Sequence, residues 1–473
     1  MLFNSFSFLL FFPIVTILFY VLPHTYRWLM LLLASCFFYM FFKPVYILIL
    51  FFTIILDYYA GIKIETASEK NKKLFLILSL IANIGVLCVF KYYNFIFENI
   101  NEALSVFKVN YDFPLLKILL PIGLSFHTFQ AMSYTIEVYR GNQKAERHFG
   151  IYALYVMFYP QLVAGPIERP QNVLHQFHEK KIFIYENVSY GLKRMLWGLF
   201  KKLVIADRLA LYIDAVYGNS AHHNGTSLLM AAILFIFQLY CDFSGYCDIG
   251  IGAARVMGFK LMDNFNYPFR SLSISEFWRR WHISLSTWFN DYLFNPIVVN
   301  KRDWGKWAVI FGLMITFSIS GLWHGSSWNF VFWGFMYGIV LSYEVLTKKW
   351  RKKMFSHLPP VLNTIISMFF VYAFWVLNWI FFRVPSINDC FGIIQKIFTQ
   401  QGTLFYDSSL LYAVFGIGML LLIEWKQKST DISESKVFNI PNVFLRYSFL
   451  SFLTISILVA GVFDGGQFIY FQF

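Results

Sequence analysis

The fold class is decided by one uncharged run of sequence, Val361-Leu-Asn-Thr-Ile-Ile-Ser-Met-Phe-Phe-Val-Tyr-Ala-Phe-Trp-Val-Leu-Asn-Trp-Ile-Phe-Phe382. A helix needs about 20 predominantly apolar residues to cross the hydrocarbon core of a bilayer, and this run supplies them. A helix also satisfies its own backbone hydrogen bonds, which lipid cannot do. The run therefore predicts a membrane-spanning helix.

The rest of the chain has the same character. Of its 473 residues 58% are hydrophobic and only 14% are charged, with a mean hydropathy of +0.56. These values lie outside the range of soluble domains. Further apolar runs lie at 6–22, 28–41, 45–58, 74–90, 115–129, 151–163, 192–205, 228–240, 308–320, 330–345, 410–423 and 445–462. Several are short, as expected of tilted, broken or re-entrant helices around a cavity, so we predict about ten to thirteen spans.

No polar linker or low-complexity segment interrupts this pattern. We therefore expect a single polytopic domain over residues 1–473. Within it we distinguish N-terminal spans at 1–110, a catalytic core at 111–345, C-terminal spans at 346–463 and a tail at 464–473. The first run, Phe6–Leu22, lacks a basic segment and a cleavage site, which favours a retained span over a signal peptide.

The net charge of +13 comes from Lys and Arg in short loops. Such loops are typical of the cytoplasmic side of membrane proteins and do not form the basic stripe of a nucleic-acid partner. The loops concerned are Lys63–Lys73, Asn300–Lys306, Lys348–Lys353 and Lys426–Arg446. With these loops cytoplasmic, the tail Asp464–Phe473 is expected outside. The five scattered cysteines support neither a disulfide framework nor a zinc site, and no metal is implied.

One candidate catalytic segment is Gly321-Leu-Trp-His-Gly-Ser-Ser-Trp-Asn-Phe330, between two apolar runs. Gly321 and Gly325 flank His324 and permit a tight turn or a close backbone approach. Burial favours the neutral imidazole, which is the form that a general base requires. The alternative is a structural histidine that bonds a backbone carbonyl at a helix break.

The second candidate segment is Ser275-Glu-Phe-Trp-Arg-Arg-Trp-His-Ile-Ser-Leu-Ser-Thr-Trp-Phe-Asn-Asp-Tyr292, which we expect to form a helix. It carries His282 among aromatic and ionisable side chains. Arg279 and Arg280 are suited to phosphate oxygens of a cofactor. Alternatively they anchor the helix or pair with Glu276.

These two segments resemble the histidine motifs of membrane-bound O-acyltransferases: Trp-Arg-Arg-Trp-His-Ile-Ser around His282 and Gly-Leu-Trp-His-Gly around His324. Four further segments resemble the branch of that family that modifies alginate, peptidoglycan and teichoic acid. They are Tyr159-Pro-Gln-Leu-Val-Ala-Gly-Pro-Ile167, Gln238-Leu-Tyr-Cys-Asp-Phe-Ser-Gly-Tyr246, Gly123-Leu-Ser-Phe-His-Thr-Phe-Gln130 and Val138-Tyr-Arg-Gly141. In the third, His127 stands where relatives have an aromatic residue. Asp242 and Asp248, in and just after the second, are expected to orient their neighbours.

The resemblance implies an all-α membrane protein whose helices surround a central funnel. It implies that His324 is the essential catalytic residue, that His282 assists it, and that Arg279, Arg280 and Trp281 contact the donor. The implied donor is cytosolic acetyl-coenzyme A, and the implied partner is an extracytoplasmic O-acetyltransferase that acts on a polysaccharide. The implied location is the bacterial inner membrane. D-alanyl transfer from a carrier protein to teichoic acid is the alternative within the family.

The tail ends in Gly465-Gly-Gln-Phe-Ile-Tyr-Phe-Gln-Phe473. Its composition is typical of an aromatic anchor at the membrane interface. It also resembles the terminal motif of this branch, in which a tyrosine carries the acyl group, so Tyr470 is a candidate relay nucleophile. A transporter or export channel without chemistry is the alternative from another class, and it predicts internal repeats that the sequence does not show.

Overall fold

The computed structural model describes residues 1–109, 111–118, 120–163, 165–427, 437–463, 468 and 469. Within these ranges the chain forms helices and no β-strand. The first eleven helices are α1 (Phe6–Val21), α2 (His24–Met40), α3 (Ile47–Thr66), α4 (Glu69–Leu87), α5 (Tyr93–Val106), α6 (Leu124–Tyr139), α7 (Phe149–Met157), α8 (Tyr159–Leu162), α9 (Pro170–Val173), α10 (Tyr185–Leu199) and α11 (Asp207–Tyr217). The others are α12 (Gly225–Val256), α13 (Ile274–Arg280), α14 (Ile283–Phe289), α15 (Asn295–Asn300), α16 (Lys306–His324), α17 (Trp328–Phe355), α18 (Pro360–Asn378), α19 (Ile380–Arg383), α20 (Ile387–Thr399), α21 (Ser409–Lys426) and α22 (Val443–Ala460).

Eight helical stretches in the described part of the chain are long and apolar enough to cross a membrane. They are Pro44–Thr66, Glu69–Val106, Gly225–Val256, Lys306–His324, Trp328–Phe355, Pro360–Arg383, Ser409–Lys426 and Val443–Ala460. The helix Phe6–Val21 is also apolar but is shorter than these eight. The chain is therefore an all-α multi-pass membrane protein. The run Val361–Phe382 lies within one of these spans.

The apolar runs 115–129 and 151–163 do not form single helices. In the run 115–129 the helix begins only at Leu124, because Gly123 has a left-handed backbone with φ of 75°. The run 151–163 is divided at Phe158 into α7 and α8, and Pro160 follows at the start of α8. Proline has no N–H to continue a helical hydrogen-bond ladder, so the break is expected where α8 starts.

Burial separates the helices into two kinds. In the most apolar window of α12 78% of the residues are buried, whereas the other seven spans have 17–39%. Those seven expose large apolar side chains, as on α22, where Leu458 and Val459 are 68% and 76% exposed. Such faces suit contact with lipid. Helix α12 is enclosed by protein, and it carries Asp242 and Asp248.

The chain divides into two compact units. The first comprises Met1–Met195 and Ile249–Met262. In its interior Asp57 accepts hydrogen bonds from Ser79 and Asn83, with the shortest at 2.6 Å from the Ser79 hydroxyl. His127, also buried there, lies 2.6 Å from the Thr53 hydroxyl. His127 is therefore bonded within this unit and is not one of the family's motif histidines.

The second unit comprises Leu196–Asp248 and Asp263–Phe473 and contains both motif histidines. Its helices α16 and α17 form an antiparallel hairpin, joined by residues 325–327. Two π-helical segments also belong to it, Phe200–Ala206 and Asn290–Phe294. Such segments break the regular helical ladder and are frequent at functional sites.

Candidate active site

His282 lies at a break between two short helices and not within one. It is the N-cap of α14, with a left-handed backbone (φ 44°, ψ 54°). This conformation costs free energy for a residue with a side chain, and it persists only where the surroundings impose it. The single helix expected over Ser275–Tyr292 is therefore wrong: α13 ends at Arg280 and α14 begins at Ile283.

A strap of non-helical chain, residues 264–266, accounts for the break. The amide of Asn266 donates to the carbonyl of Arg280 at 2.8 Å, and the amide of Ile283 donates to the carbonyl of Asn264 at 2.9 Å. A continuous helix would use these same backbone groups for its own ladder. Because the strap occupies them, the chain turns at His282.

The side chain of Asn264 fixes the protonation site of His282. Asn264 Oδ1 accepts from the backbone N–H of Ser284 at 3.1 Å and from its hydroxyl at 2.9 Å, so it is an acceptor. It lies 3.2 Å from His282 Nδ1. Nδ1 must therefore donate its proton, and in the neutral ring the lone pair resides on Nε2. Neither motif nor spacing marks Asn264 in the sequence, so its role is evident only from the structure.

Burial keeps the His282 ring neutral. The residue is 0% exposed, and burial lowers its pKa to about 3. Phe243 meets the ring edge to face, with 4.6 Å between ring centroids. The imidazole is thus held in one tautomer against an apolar wall.

His324 is the last residue of α16 and is 3% exposed. Three aromatic rings surround it edge to face, at centroid distances of 5.0 Å for Trp323, 5.1 Å for Trp333 and 5.4 Å for Phe382. Trp333 belongs to α17 and Phe382 to α19. The ring therefore lies in a pocket of aromatic side chains from three helices.

The glycines beside His324 bring α16 and α17 into close contact. A Cβ on Gly321 would collide with the carbonyl oxygen of Phe330, and a Cβ on Gly325 would collide with its ring. On the other helix, a Cβ on Gly334 would collide with the carbonyl oxygen of Phe317. Small residues at a crossing allow membrane helices to approach closely. Of the two roles expected for these glycines, Gly321 shows the close approach, and Gly325 combines it with a place in the turn between α16 and α17.

One indole ring contacts both histidines. The Trp323 centroid is 5.0 Å from that of His324 and 6.2 Å from that of His282. The fold thus brings together two side chains that are far apart in sequence, in surroundings from which water is largely excluded. Such an arrangement can support proton transfer at a buried reaction centre.

A cavity of about 660 Å³ runs along α16 from Leu313 to Ser320, one helical turn before His324. Most of its lining is apolar, and Arg279 and Asn290 are among its polar residues. This volume is typical of sites for small ligands. The cavity is therefore the candidate donor site.

The three predicted donor contacts have different surroundings. Arg279 lines the cavity. Arg280 pairs with Glu276 at 2.9 Å, which was the alternative expectation for this arginine. Trp281 is 2% exposed and packs against aromatic rings, including Phe265 and Trp379. Of the three, Arg279 is the residue that lines the cavity described above.

The relay candidate Tyr470 lies outside the described residues. The two residues before it are described, and both are buried, with Phe468 0% and Ile469 3% exposed. Phe468 packs on Phe243 and Tyr246 of α12, with ring centroids 5.5 Å and 4.7 Å apart. An anchor at the membrane interface does not describe Phe468, because its ring lies in the protein interior.

The sequence is similar to a known protein family and to several known proteins. Residues 147–384 match the sequence profile of MBOAT, the membrane-bound O-acyltransferase family. The chain is 35% identical to the probable alginate O-acetylase of Pseudomonas aeruginosa, over 84% of this chain and 75% of that protein. It is 35% identical to the peptidoglycan O-acetyltransferase of Helicobacter pylori, over 79% of this chain and 74% of that protein. Similarity to the teichoic acid D-alanyltransferase of Bacillus subtilis is lower, 28% over 54% of this chain and 68% of that protein.

Proposed function

The chain belongs to the membrane-bound O-acyltransferase family, and we propose that it takes an acetyl group from cytosolic acetyl-coenzyme A. The acetyl group is then passed across the membrane for O-acetylation of an extracytoplasmic cell-wall polysaccharide or exopolysaccharide. The observation that carries the proposal is the burial of His282 and His324, both in contact with Trp323, near a cavity of ligand size. The two O-acetyl-transferring relatives named above support the choice of acetyl group and polymer.

The cavity along α16 suits the donor. Its apolar lining fits the pantetheine arm of coenzyme A, and the guanidinium of Arg279 offers donors for phosphate oxygens. Ser320 lines the cavity one helical turn before His324, and we propose that the thioester binds near this residue. We therefore assign donor contact to Arg279, and assign Arg280 and Trp281 to holding the surrounding structure.

In the proposed reaction His324 is the general base. It accepts the proton of an attacking hydroxyl while the hydroxyl oxygen bonds to the thioester carbonyl carbon. The carbon–sulfur bond then breaks, and the thiolate of coenzyme A takes a proton as it leaves. His282, with its lone pair on Nε2, assists by holding or passing a proton in the same enclosure. Holding donor and hydroxyl together in a site with little water adds proximity to base catalysis.

The attacking hydroxyl that we propose is that of Tyr470, which becomes an acetyl ester. A hydroxyl of the polysaccharide then attacks this ester, releases the tyrosine and takes the acetyl group, with an extracytoplasmic O-acetyltransferase as the partner. The support lies in the neighbouring residues: Ile469 directly precedes Tyr470 and is buried in the unit that contains both histidines. We further propose that the protein lies in a bacterial inner membrane with its tail outside.

D-alanyl transfer from a carrier protein is the second candidate within the family. The similarity to the D-alanyltransferase is lower in identity and in coverage than the similarity to either O-acetyl-transferring relative. A carrier protein also requires a docking face at the cytosolic surface, whereas the structure offers a cavity of ligand size that carries an arginine. Both observations favour acetyl-coenzyme A.

The test uses purified protein in liposomes and acetyl-coenzyme A labelled in the acetyl group. We expect label on the protein, lost in Tyr470→Phe and reduced at least about 100-fold in rate in His324→Ala. His357→Ala is the matched control, because His357 is exposed in the loop after α17. Labelling at the normal rate in His324→Ala overturns the assignment of the base. Labelling by a D-alanyl carrier protein and not by acetyl-coenzyme A overturns the donor.

A further inference from the structure

Ile469, in the C-terminal tail, is hydrogen-bonded to a buried carboxylate. The backbone N–H of Ile469 donates to Oδ2 of Asp242 at 2.7 Å. Asp242 is 2% and Ile469 3% exposed, so the bond lies in the protein interior. A hydrogen bond to a charged acceptor is stronger than one between neutral groups, and burial increases the cost of losing it.

The second carboxylate oxygen of Asp242, Oδ1, contacts a lysine. Oδ1 lies 2.7 Å from Nζ of Lys202, which belongs to the π-helical segment Phe200–Ala206 and is itself 1% exposed. Lys202 also contacts Asp207 at 2.7 Å. The lysine thus neutralises and fixes Asp242 while Oδ2 faces the tail. A buried carboxylate needs such pairing to remain charged.

The bond places the tail one aromatic ring away from His282. Phe468 packs on Phe243 with 5.5 Å between ring centroids, and Phe243 also contacts the His282 ring, at 4.6 Å. Asp242 and Phe243 are consecutive in α12, so one short stretch of helix contacts both the tail and the histidine. The position of the tail relative to His282 therefore depends on α12.

We propose that Asp242, fixed by Lys202, is a positioning residue that clamps the C-terminal tail at Phe468 and Ile469, which lie in the protein interior, through the amide of Ile469. The clamp sets the distance from His282 at which the tail delivers its hydroxyl, and in this respect the inference rests on the proposed function. Its structural part, retention of the tail by Asp242, stands without it.

The sharpest test removes the donor of this bond and leaves the Lys202–Asp242 pair in place. Proline at position 469 has no backbone N–H, so Ile469→Pro abolishes the bond, and Ile469→Ala is the matched control that keeps it. The reporter is Phe468→Cys, because position 468 is buried, labelled with a maleimide in the full-length protein in membranes. The native cysteines, of which Cys88 is half-buried, give the background in a chain without the reporter.

We expect slow labelling in the parent and in Ile469→Ala, and labelling about tenfold faster in Ile469→Pro. Asp242→Ala gives the same acceleration. The neighbouring ion pair of Lys201 with Asp248, at 2.5 Å, supplies the second control, since Asp248→Ala also leaves a buried lysine without its carboxylate. We expect no acceleration in Asp248→Ala. If that variant does not fold, the comparison of proline with alanine at 469 still decides.

Equal labelling of Ile469→Pro and Ile469→Ala overturns the clamp. Measuring acetyl transfer in the same preparations separates this outcome from failure of the proposed function. We expect Ile469→Pro to lose at least about tenfold in transfer rate with an unchanged KM for the donor. If Ile469→Pro is labelled faster but transfers acetyl groups to the polysaccharide at the normal rate, the clamp is supported and the role of the tail as acyl carrier is overturned. Failure of Tyr470→Phe to lose the acyl label overturns the carrier independently of the clamp.

Discussion

Oδ1 of Asn264 lies 3.2 Å from Nδ1 of His282, and this contact determines which nitrogen of a buried imidazole carries the proton. The same oxygen accepts two hydrogen bonds from Ser284, and the backbone of Asn264 bonds Ile283. One residue thus fixes both the tautomer of His282 and the left-handed turn in which it lies. A catalytic imidazole depends on such a partner for its orientation.

We predict that Asn264→Ala lowers the kcat for acetyl transfer about tenfold to 100-fold and leaves the KM for the donor unchanged. The change frees the His282 ring and removes the preference for a proton on Nδ1, but it does not touch the cavity. Asn264→Asp keeps an oxygen in the same place, so it retains more activity than Asn264→Ala. Equal activity in Asn264→Ala and the parent contradicts the role of this contact.

The pKa of His282 gives a prediction on stability. Burial lowers this pKa to about 3 from an ordinary 6.5, so below pH 6.5 the unfolded chain binds a proton that the folded chain does not. Stability contributed by the neutral ring is therefore complete above pH 6.5 and is lost as the pH falls towards 3, by up to about 1.4 kcal/mol per pH unit.

His282→Asn removes this titration, and asparagine tolerates a left-handed backbone. We expect the thermal midpoint of the variant in detergent to fall less steeply between pH 6.5 and 4.5 than that of the parent. Identical slopes contradict a neutral, buried His282. His357→Asn, at an exposed position, is the control for a histidine that does not contribute.

The helical membrane fold was predictable from the length of the apolar runs, and the pair of histidines was predictable from two short sequence motifs. The residues that hold His282 were not. Asn264 lies in an ordinary polar stretch, and its role arises only when the strap pairs with the chain on either side of His282. The prediction of a continuous helix there is wrong for the same reason. Helix propensity does not account for another segment that bonds the same backbone groups.

Spacing along a helix also did not distinguish the arginine that lines the cavity from the arginine that forms an ion pair. Arg279 and Arg280 are neighbours of identical type, yet one lines the cavity and the other pairs with Glu276. The charge pattern had left both roles open, and the rotation of α13 separates them. The burial of Phe468 was likewise outside the reach of composition, because aromatic residues suit a membrane interface as well as a protein interior.

We predict that filling the cavity blocks the donor. Ser320 is 4% exposed and lines the cavity, so Ser320→Leu projects a larger side chain into the space. We expect the donor KM to rise at least about tenfold. Ile319→Leu is the matched control, because Ile319 is the adjacent residue and is 42% exposed. An unchanged donor KM in Ser320→Leu, with the fold intact, shows that the donor binds elsewhere.

We predict a smaller effect of charge at the same cavity. Arg279→Ala removes the guanidinium that we assign to donor phosphate, so the donor KM rises and kcat changes little. The effect weakens at high ionic strength because salt screens an exposed charge. Removal of the phosphates from the donor, as in an acetyl-pantetheine probe, abolishes the difference between parent and variant. A difference that persists with this probe contradicts phosphate recognition.

The crossing of α16 and α17 leads to the last prediction. A Cβ at Gly321 collides with the backbone carbonyl of Phe330, which cannot move as a flexible side chain does. Gly321→Ala therefore separates the two helices that place His324 and Trp333 in contact, at a cost of about 1–3 kcal/mol of stability. We expect a lower thermal midpoint together with a loss of transfer rate, since His324 moves with the end of α16.

The control for this substitution is a glycine in a span with open space around it. Gly418 lies in α21, and a Cβ there meets no atom within 4 Å. Alanine favours a helix over glycine, so Gly418→Ala leaves stability unchanged or raises it by about 1 kcal/mol. The two variants carry the same chemical change, and their difference isolates the helix crossing. If Gly321→Ala is as stable and as active as Gly418→Ala, close packing of the hairpin is not what holds His324 in place.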